Sequence, residues 1–433
     1  MTDSPLISRR TALALGAAAT VNAVVSEVLA AVTPSPTLQP STRRGFGPRL
    51  VVIGAGAFGG WTALALQRAG AEVILIDAWG AGHSRASSGD ETRVIRAMYN
   101  GNATYTAMVQ RAFTLWEEAE ARWQRTVLTR TGALYLFEGD DAFATASIPE
   151  MRNRGIAVEP MDVAAAKRRW SQLRFDGVRH TYWEPGAGYL AARASCELVR
   201  EEFVRLGGTW QMAHVTPGRI VGSSLDGLTL SGGRTLAADG YIFACGPWMG
   251  QLFPEVIGQG ILATRQEVVY FGTPAGNTTY ESSHCPVWVH FGARRMYGIP
   301  GNDRRGFKVA DDTAGPVVDP TTVDRVVRQS TITNARALLA RRFPGLVGAP
   351  VLESRVCQYE FSPVGDFLLD RHPVATNVWL AGGGSGHGFK MGPAIGEQLR
   401  QQVLEGVAPP PIFSYARFAE ERAKLTGARR QHS

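Results

Sequence analysis

The apolar positions of this chain follow two rhythms, and the points where one gives way to the other mark out its elements. Leu50, Val51, Val52 and Ile53 form an unbroken apolar run, the pattern of a strand buried on both faces. The turn Gly54-Ala55-Gly56-Ala57-Phe58-Gly59 then opens an apolar repeat of helical period that continues to residue 69. Gly70 ends it, and residues 71–76 read as a second strand closing on Asp77. Farther along, the spacing predicts a long amphipathic helix over 102–123, a strand over 131–137, and helices over 142–154 and 163–170. A turn-rich crossover at 184–190, a helix over 191–206 and a strand over 210–215 follow. Residues 228–230 and 235–237 form an expected hairpin around Gly232-Gly233, ahead of an apolar strand at 241–244. Between residues 264 and 309 strands alternate without intervening helices, which predicts an antiparallel sheet in a second domain. Residues 319–342 read as helical, and the end of the chain returns to strand (378–381), glycine-rich loop (382–388) and helix (391–404).

The first strand, turn and helix carry a specific chemistry. In a G-x-G-x-x-G turn the first glycine, Gly54, makes the tight bend and Gly56 lets the backbone approach a pyrophosphate. Gly59 lets helix and strand pack closely, while Ala57 and Phe58 open the helix whose unpaired N–H groups face the phosphates. Asp77, closing the second strand, is placed to accept a hydrogen bond from a ribose hydroxyl. An ordinary βαβ unit with a glycine-rich turn is the rival reading, but strand, turn, helix, strand and acid fall in register, which points to a dinucleotide. The expected class is therefore α/β, a nucleotide fold interrupted by antiparallel strands.

Composition narrows this only a little. With 433 residues, 45% hydrophobic and 19% charged, the chain is long enough for two domains. Its net charge of +7 is scattered, so no nucleic-acid-binding arm is implied. The four cysteines, Cys196, Cys245, Cys285 and Cys357, stand far apart, and no His/Cys/carboxylate group shows metal-ligand spacing. Of 45 basic residues only four are lysines: Lys167, Lys308, Lys390 and Lys424. Arginine codon bias is the plain cause, yet a lysine kept in such a chain marks a place for a compact charge of adjustable pKa. Residues 1–45 read as an export segment and linker: Ser8-Arg9-Arg10, an Ala-rich apolar run, the small-residue site Val28-Leu29-Ala30, then a Pro/Ser/Thr stretch. They resemble a twin-arginine signal, implying the Tat export machinery as partner and a periplasmic or secreted protein. The apolar run is too short for a stable membrane span. A non-functional signal would leave the protein in the cytoplasm.

Several further stretches carry a family resemblance. They are GDETRVIRAMY (89–99), EPGAGYL (184–190), GFK (306–308), VCQYEFSPVGDFLLDRHP (356–373) and GSGHGFK (384–390). Together with the glycine turn they resemble the monomeric sarcosine oxidase and N-methyltryptophan oxidase group of FAD amine oxidases, within the D-amino-acid-oxidase superfamily. The resemblance implies an FAD-binding, Rossmann-like domain of the glutathione-reductase type (46–130, 186–258 and 350–425). Interleaved with it would be an antiparallel-sheet α+β substrate domain (131–185 and 259–349). It implies a monomer that oxidises an amino acid or N-alkyl amino acid by hydride transfer to FAD, with O2 reduced to H2O2 and the imine hydrolysed.

By the same resemblance Cys357 carries FAD through a thioether, and Arg96 and Lys390 hold the substrate carboxylate between Tyr99 and Tyr297. Lys308 activates oxygen near the flavin, with Arg93 as a second cation and Thr92 beside it. Gly384, Gly386, His387 and Gly388 face the flavin, Val215 meets the adenine, and Gly246 belongs to a further cofactor turn. Two departures stand out. Asp312 occupies the place of a histidine four residues after the lysine, and Gly384 replaces an aromatic residue, so a bulkier N-alkyl or cyclic amino acid than sarcosine is expected. The nearest rival is an FAD dehydrogenase that passes electrons to a quinone or protein acceptor. A non-catalytic flavoprotein subunit is the rival of another class, and a nicotinamide-linked dehydrogenase leaves the Cys357 and Lys390 segments without a role.

Overall fold

The computed structural model describes residues 47–431, with side-chain surroundings given for 47–425; the export segment expected at 1–45 lies outside the described residues. The opening unit forms as its pattern predicts. Strand β1 (Arg49–Ile53), helix α1 (Ala57–Arg68) and strand β2 (Glu72–Asp77) build a parallel pair with Ile53 opposite Ile76. Gly70 takes φ +90° just past the helix, where a side chain would be strained.

A six-stranded sheet grows around this pair. Its order is Leu368–Arg371, Val378–Gly382, Gly240–Phe243, β1, β2 and Thr209–Met212, and every pairing is parallel except that of the first two. Both faces are covered, which is why these strands read as continuous apolar runs. The loops at 54–56, 244–248 and 383–388 all leave the carboxyl ends of its parallel strands, where open α/β sheets bind ligands.

The second large sheet has eight strands, ordered Val351–Phe361, Leu262–Phe271, Phe307–Asp311, Arg295–Ile299, Val287–Phe291, Ala133–Phe137, His180–Glu184 and Glu159–Met161. It is antiparallel except at one pairing, Val287–Phe291 with Ala133–Phe137, which joins distant segments of the chain. A small sheet of Thr92–Ile95, Gly188–Ala191 and Leu128–Thr129 carries Arg93 and leads the chain to Arg96.

Two expected elements differ. The helix of 319–342 begins only at Gln329, because Asp319 Oδ1 accepts the Thr321 and Thr322 N–H groups at 2.9 and 2.8 Å and Asp324 Oδ1 accepts that of Val326 at 3.1 Å. Such side-chain bonds satisfy the backbone in place of helical ones. The strand expected at 210–215 is two pieces: Thr209–Met212 stays in the parallel sheet, and Val215–Pro217 pairs with Leu228–Leu230 in another. Among the described residues no helix is long and apolar enough to cross a membrane, and no group of three metal-ligating side chains is present.

Candidate active site

Two cavities meet at the carboxyl ends of the parallel strands. The first, of about 270 Å³, runs over the glycine turn. Gly54 takes φ +103°, and a Cβ there would lie 2.3 Å from the Ala244 carbonyl oxygen, so only glycine lets the two loops approach. A Cβ on Gly59 would fall 1.9 Å from the Gly54 carbonyl oxygen, inside the turn itself. Helix α1 is preceded by Gly56, which offers no side-chain cap; Ser88 Oγ accepts the Ala57 N–H at 3.1 Å. The remaining N–H groups of that first turn suit an anionic diphosphate. Asp77 lines the same cleft and also holds the turn, with Oδ2 accepting from Ala55 N at 2.8 Å and Oδ1 from Trp79 N at 2.8 Å. Trp79 packs tilted against Trp248 at 4.9 Å and edge-on against His214 at 5.0 Å, an aromatic wall beside Val215 that suits a purine base. Turn, helix start, acid and aromatic wall together fit an adenine dinucleotide.

The second cavity, of about 430 Å³, shares Arg93, Tyr359, Gly386 and Phe389 with the first. Arg96, Lys390, Tyr99, Tyr297, His387 and Asp312 all line it. Lys390 is 4% exposed and donates to Tyr99 OH at 2.9 Å and to the His387 carbonyl at 2.7 Å, both neutral acceptors. Arg96 donates to the Met98 carbonyl and lies 5.1 Å from the centre of the Tyr99 ring. Neither cation makes an ion pair among the described residues. Burial, and then the Arg96 charge, push the Lys390 ammonium well below its usual range. Burial and the Lys390 charge lower His387 to about 3, so its ring is neutral, held by Gly365 O at 3.0 Å and Tyr99 OH at 3.4 Å. Burial raises Asp312 against the pull of Arg295, Arg96 and Lys390, and Tyr359 OH approaches its Oδ1 at 3.5 Å.

Behind the junction lies a third cluster, of which only Arg93 reaches the linings of the two cavities. Lys308, on Phe307–Asp311, is 1% exposed and donates to Asp90 Oδ2 at 2.5 Å and to the Thr92 carbonyl at 2.8 Å. Arg93 Nη1 reaches the same Asp90 oxygen at 2.5 Å, and Tyr270 OH donates to the other at 2.5 Å. Burial would raise the Asp90 carboxyl, but Lys308 and Arg93 outweigh it and hold it far below the carboxylate range. Arg93 Nη2 stands 3.9 Å from Cys357 Sγ, a buried thiol whose pKa is raised by burial.

The structure thus brings Arg96, Lys390, Tyr99, Tyr297 and His387 to one cavity. It brings Gly54, Gly56, Ala57, Phe58, Asp77, Val215, Gly246, Gly384 and Gly388 to the other, with Arg93 and Gly386 at both. Gly59 underlies the turn, and Thr92, Lys308 and Cys357 stand behind the junction. Gly384 lines the nucleotide cleft, where a cofactor-facing residue is expected, with Glu360 and Phe58 as neighbours; it is not part of the second cavity's lining, so the larger substrate space expected from it does not arise at that position. Sequence reading missed Asp90, Ser88, Trp79, Trp248, Tyr359 and Glu360. Asp90, Tyr359 and Glu360 lie inside two of the stretches that carry the resemblance, where their position was the available signal.

A profile of the FAD dependent oxidoreductase family matches residues 49–402. Monomeric sarcosine oxidase of Bacillus sp. (strain B-0618) is 28% identical over 363 residues, covering 82% of this chain and 92% of that one. N-methyl-L-tryptophan oxidase of Salmonella arizonae is 27% identical over 379 residues, covering 86% and 98%. Among solved structures, L-proline dehydrogenase from P. horikoshii shares the fold with a TM-score of 0.76 at 19% identity, covering 87% of this chain and 98% of that one.

Proposed function

From membership of the FAD dependent oxidoreductase family, to which this chain belongs, we propose that it is an oxidase of amino acids or N-alkyl amino acids. One observation carries this reading. The dinucleotide cleft opens, through Arg93, Tyr359, Gly386 and Phe389, into a cavity lined by the buried Lys390 and the partly buried Arg96, neither of which makes an ion pair among the described residues. A substrate carboxylate would supply the anion, because paired cations in a dry cavity gain most from a charged acceptor. Arg96 and Lys390 bind and orient that carboxylate; Tyr99 and Tyr297 wall the pocket and exclude water. The chemistry that bound FAD would supply here is acceptance of a hydride from the carbon next to nitrogen and return of the two electrons to O2, giving hydrogen peroxide. Water then hydrolyses the released imine to a carbonyl compound and an amine.

Lys308 and Arg93 form a fixed positive charge behind the junction and favour negative charge developing on oxygen. Cys357, buried beside Arg93, tethers the flavin through a thioether; intact mass after denaturation reads the tether directly, an apo mass refuting it. Residues 1–45 direct the protein out of the cytoplasm through the Tat machinery, which cell fractionation tests.

The deciding experiment is anaerobic bleaching of the purified yellow protein by sarcosine, N-methyl aromatic amino acids, pipecolate, proline and common L- and D-amino acids, followed by air. Bleaching with fast recolouring and peroxide supports an amino-acid oxidase. Bleaching without recolouring by air, but with recolouring by a quinone, assigns the chain as a dehydrogenase. No bleaching by any member removes the carboxylate site built on Arg96 and Lys390.

A further inference from the structure

Glu360 is a buried acid that the reaction above leaves without a task. It stands near the end of the strand Val351–Phe361, is 7% exposed and lines the nucleotide cleft. Its Oε2 accepts the Gly383 N–H at 3.3 Å, and it makes no ion pair among the described residues. Three glycines leave room around it. A Cβ on Gly384 would lie 3.0 Å from its Oε1, and Cβ atoms on Gly382 and Gly246 would lie 3.5 and 3.8 Å from its Oε2. A side chain at 384 would therefore crowd the carboxyl, so the glycine there and the acid at 360 belong together.

The other titratable groups lining the cleft are Asp77, His83, His214, Arg93, Tyr359 and Cys245, and none of them hydrogen-bonds or ion-pairs with Glu360. Burial, and then the Asp77 and Glu360 charges, raise the Cys245 thiol, which stays protonated. Burial raises Glu360 to about 7, opposed only by the Gly383 and Gly384 N–H groups. An unpaired carboxylate in such a cleft is costly, and it would also repel the anionic ligand that helix α1 is built to receive. A protonated carboxyl offers a donor instead, which a cofactor rich in acceptor atoms can use.

We propose that Glu360 is a cofactor-binding acid that keeps its proton in the resting enzyme and donates a hydrogen bond to an acceptor atom of the bound flavin dinucleotide. The inference rests on the FAD reading above. Ionisation of Glu360 then changes the surroundings of the flavin, and Gly384 keeps open the space in which the contact forms.

The test is a pH titration of the visible flavin spectrum in the full-length holoprotein, with Glu360→Gln and Gly384→Ala beside the wild type. The wild type is expected to show a single-proton step above neutrality, because burial raises Glu360 to about 7 and a hydrogen bond donated by its protonated form raises it further. Glu360→Gln is expected to lose the step and keep the low-pH spectrum throughout. Gly384→Ala, which crowds the carboxyl without removing it, is expected to move the midpoint. A step that survives in Glu360→Gln overturns the proposal, as does a wild type without one. If Glu360→Gln does not fold, an unmoved midpoint in Gly384→Ala overturns it equally. A purified protein without flavin absorption is a different failure, that of the FAD reading itself.

Discussion

Lys308 and Lys390 are both buried, both kept in a chain that otherwise favours arginine, and treated in opposite ways. Lys308 has Asp90 at 2.5 Å, with Arg93 on the same oxygen, so the cluster is a closed set of charges. Lys390 has a phenol and a carbonyl for partners and Arg96 as a neighbouring cation in the same cavity. A closed cluster contributes to folding and to a permanent local field. An open one costs stability until an anion arrives, so it marks a binding site.

Breaking the closed cluster should have the largest effect. Asp90→Asn leaves two buried cations with no counter-charge, which is expected to cost about 3–5 kcal/mol of stability. Urea denaturation measures it, and Lys308→Met in the same background should recover part of the loss because the two sites are coupled. A stability change near zero in Asp90→Asn would remove the distinction between the clusters.

The open cluster should respond in binding instead. Lys390→Met or Arg96→Met is expected to weaken a carboxylate substrate by about 1.5–3 kcal/mol, the scale of a charged hydrogen bond. Folding stability should stay level or rise in Lys390→Met, since a buried unpaired ammonium is removed. Equal substrate affinity in wild type and both variants would sink the assignment.

A pH series sharpens the same contrast. The folded Lys390 is lowered from 10.5, so the unfolded chain binds its proton more readily, and stability from this group rises with pH between the lowered value and the ordinary one. Carboxylate binding needs the charged form and should weaken over the same window. A carboxylate ligand that lacks an amine isolates this effect. Its affinity should fall with rising pH towards that of Lys390→Met, and a flat profile would contradict the lowered pKa.

What the sequence could and could not disclose follows from distance along the chain. The glycine turn, its helix and Asp77 were legible because their chemistry is local: strand, bend, helix start and acid lie within one unit. Lys308 and Lys390 stood out because arginine is the usual cation here, but nothing local said which was paired. Asp90 meets Tyr270 and Lys308 from 180 and 218 positions away, contacts that no spacing rule reports. Glu360 reads as one alternate position of a strand, and only the folded loops show that three glycines surround it. Residues 319–328 misled for a nearer reason, because their aspartates bond the backbone that a helix would have used.

The smallest expected effect tests how far the open cluster is organised before substrate arrives. Tyr99 OH accepts a hydrogen bond from Lys390 Nζ at 2.9 Å and lies 3.4 Å from His387 Nδ1, so it links the lysine to the neutral ring. Burial keeps this phenol protonated well past neutrality. Tyr99→Phe removes the hydroxyl and leaves the ring that Arg96 stacks on, so the cation–π contact survives. Lys390 then keeps only the His387 carbonyl. Losing one neutral hydrogen bond is expected to change carboxylate affinity by about 0.5–1.5 kcal/mol. Weaker binding means the phenol aims the ammonium at the substrate. Tighter binding means it competes with the substrate for that ammonium, and the open cluster is then partly closed in the resting enzyme. Either sign, read from ligand titration beside Lys390→Met, ranks Tyr99 against Lys390 as the organiser of the pocket.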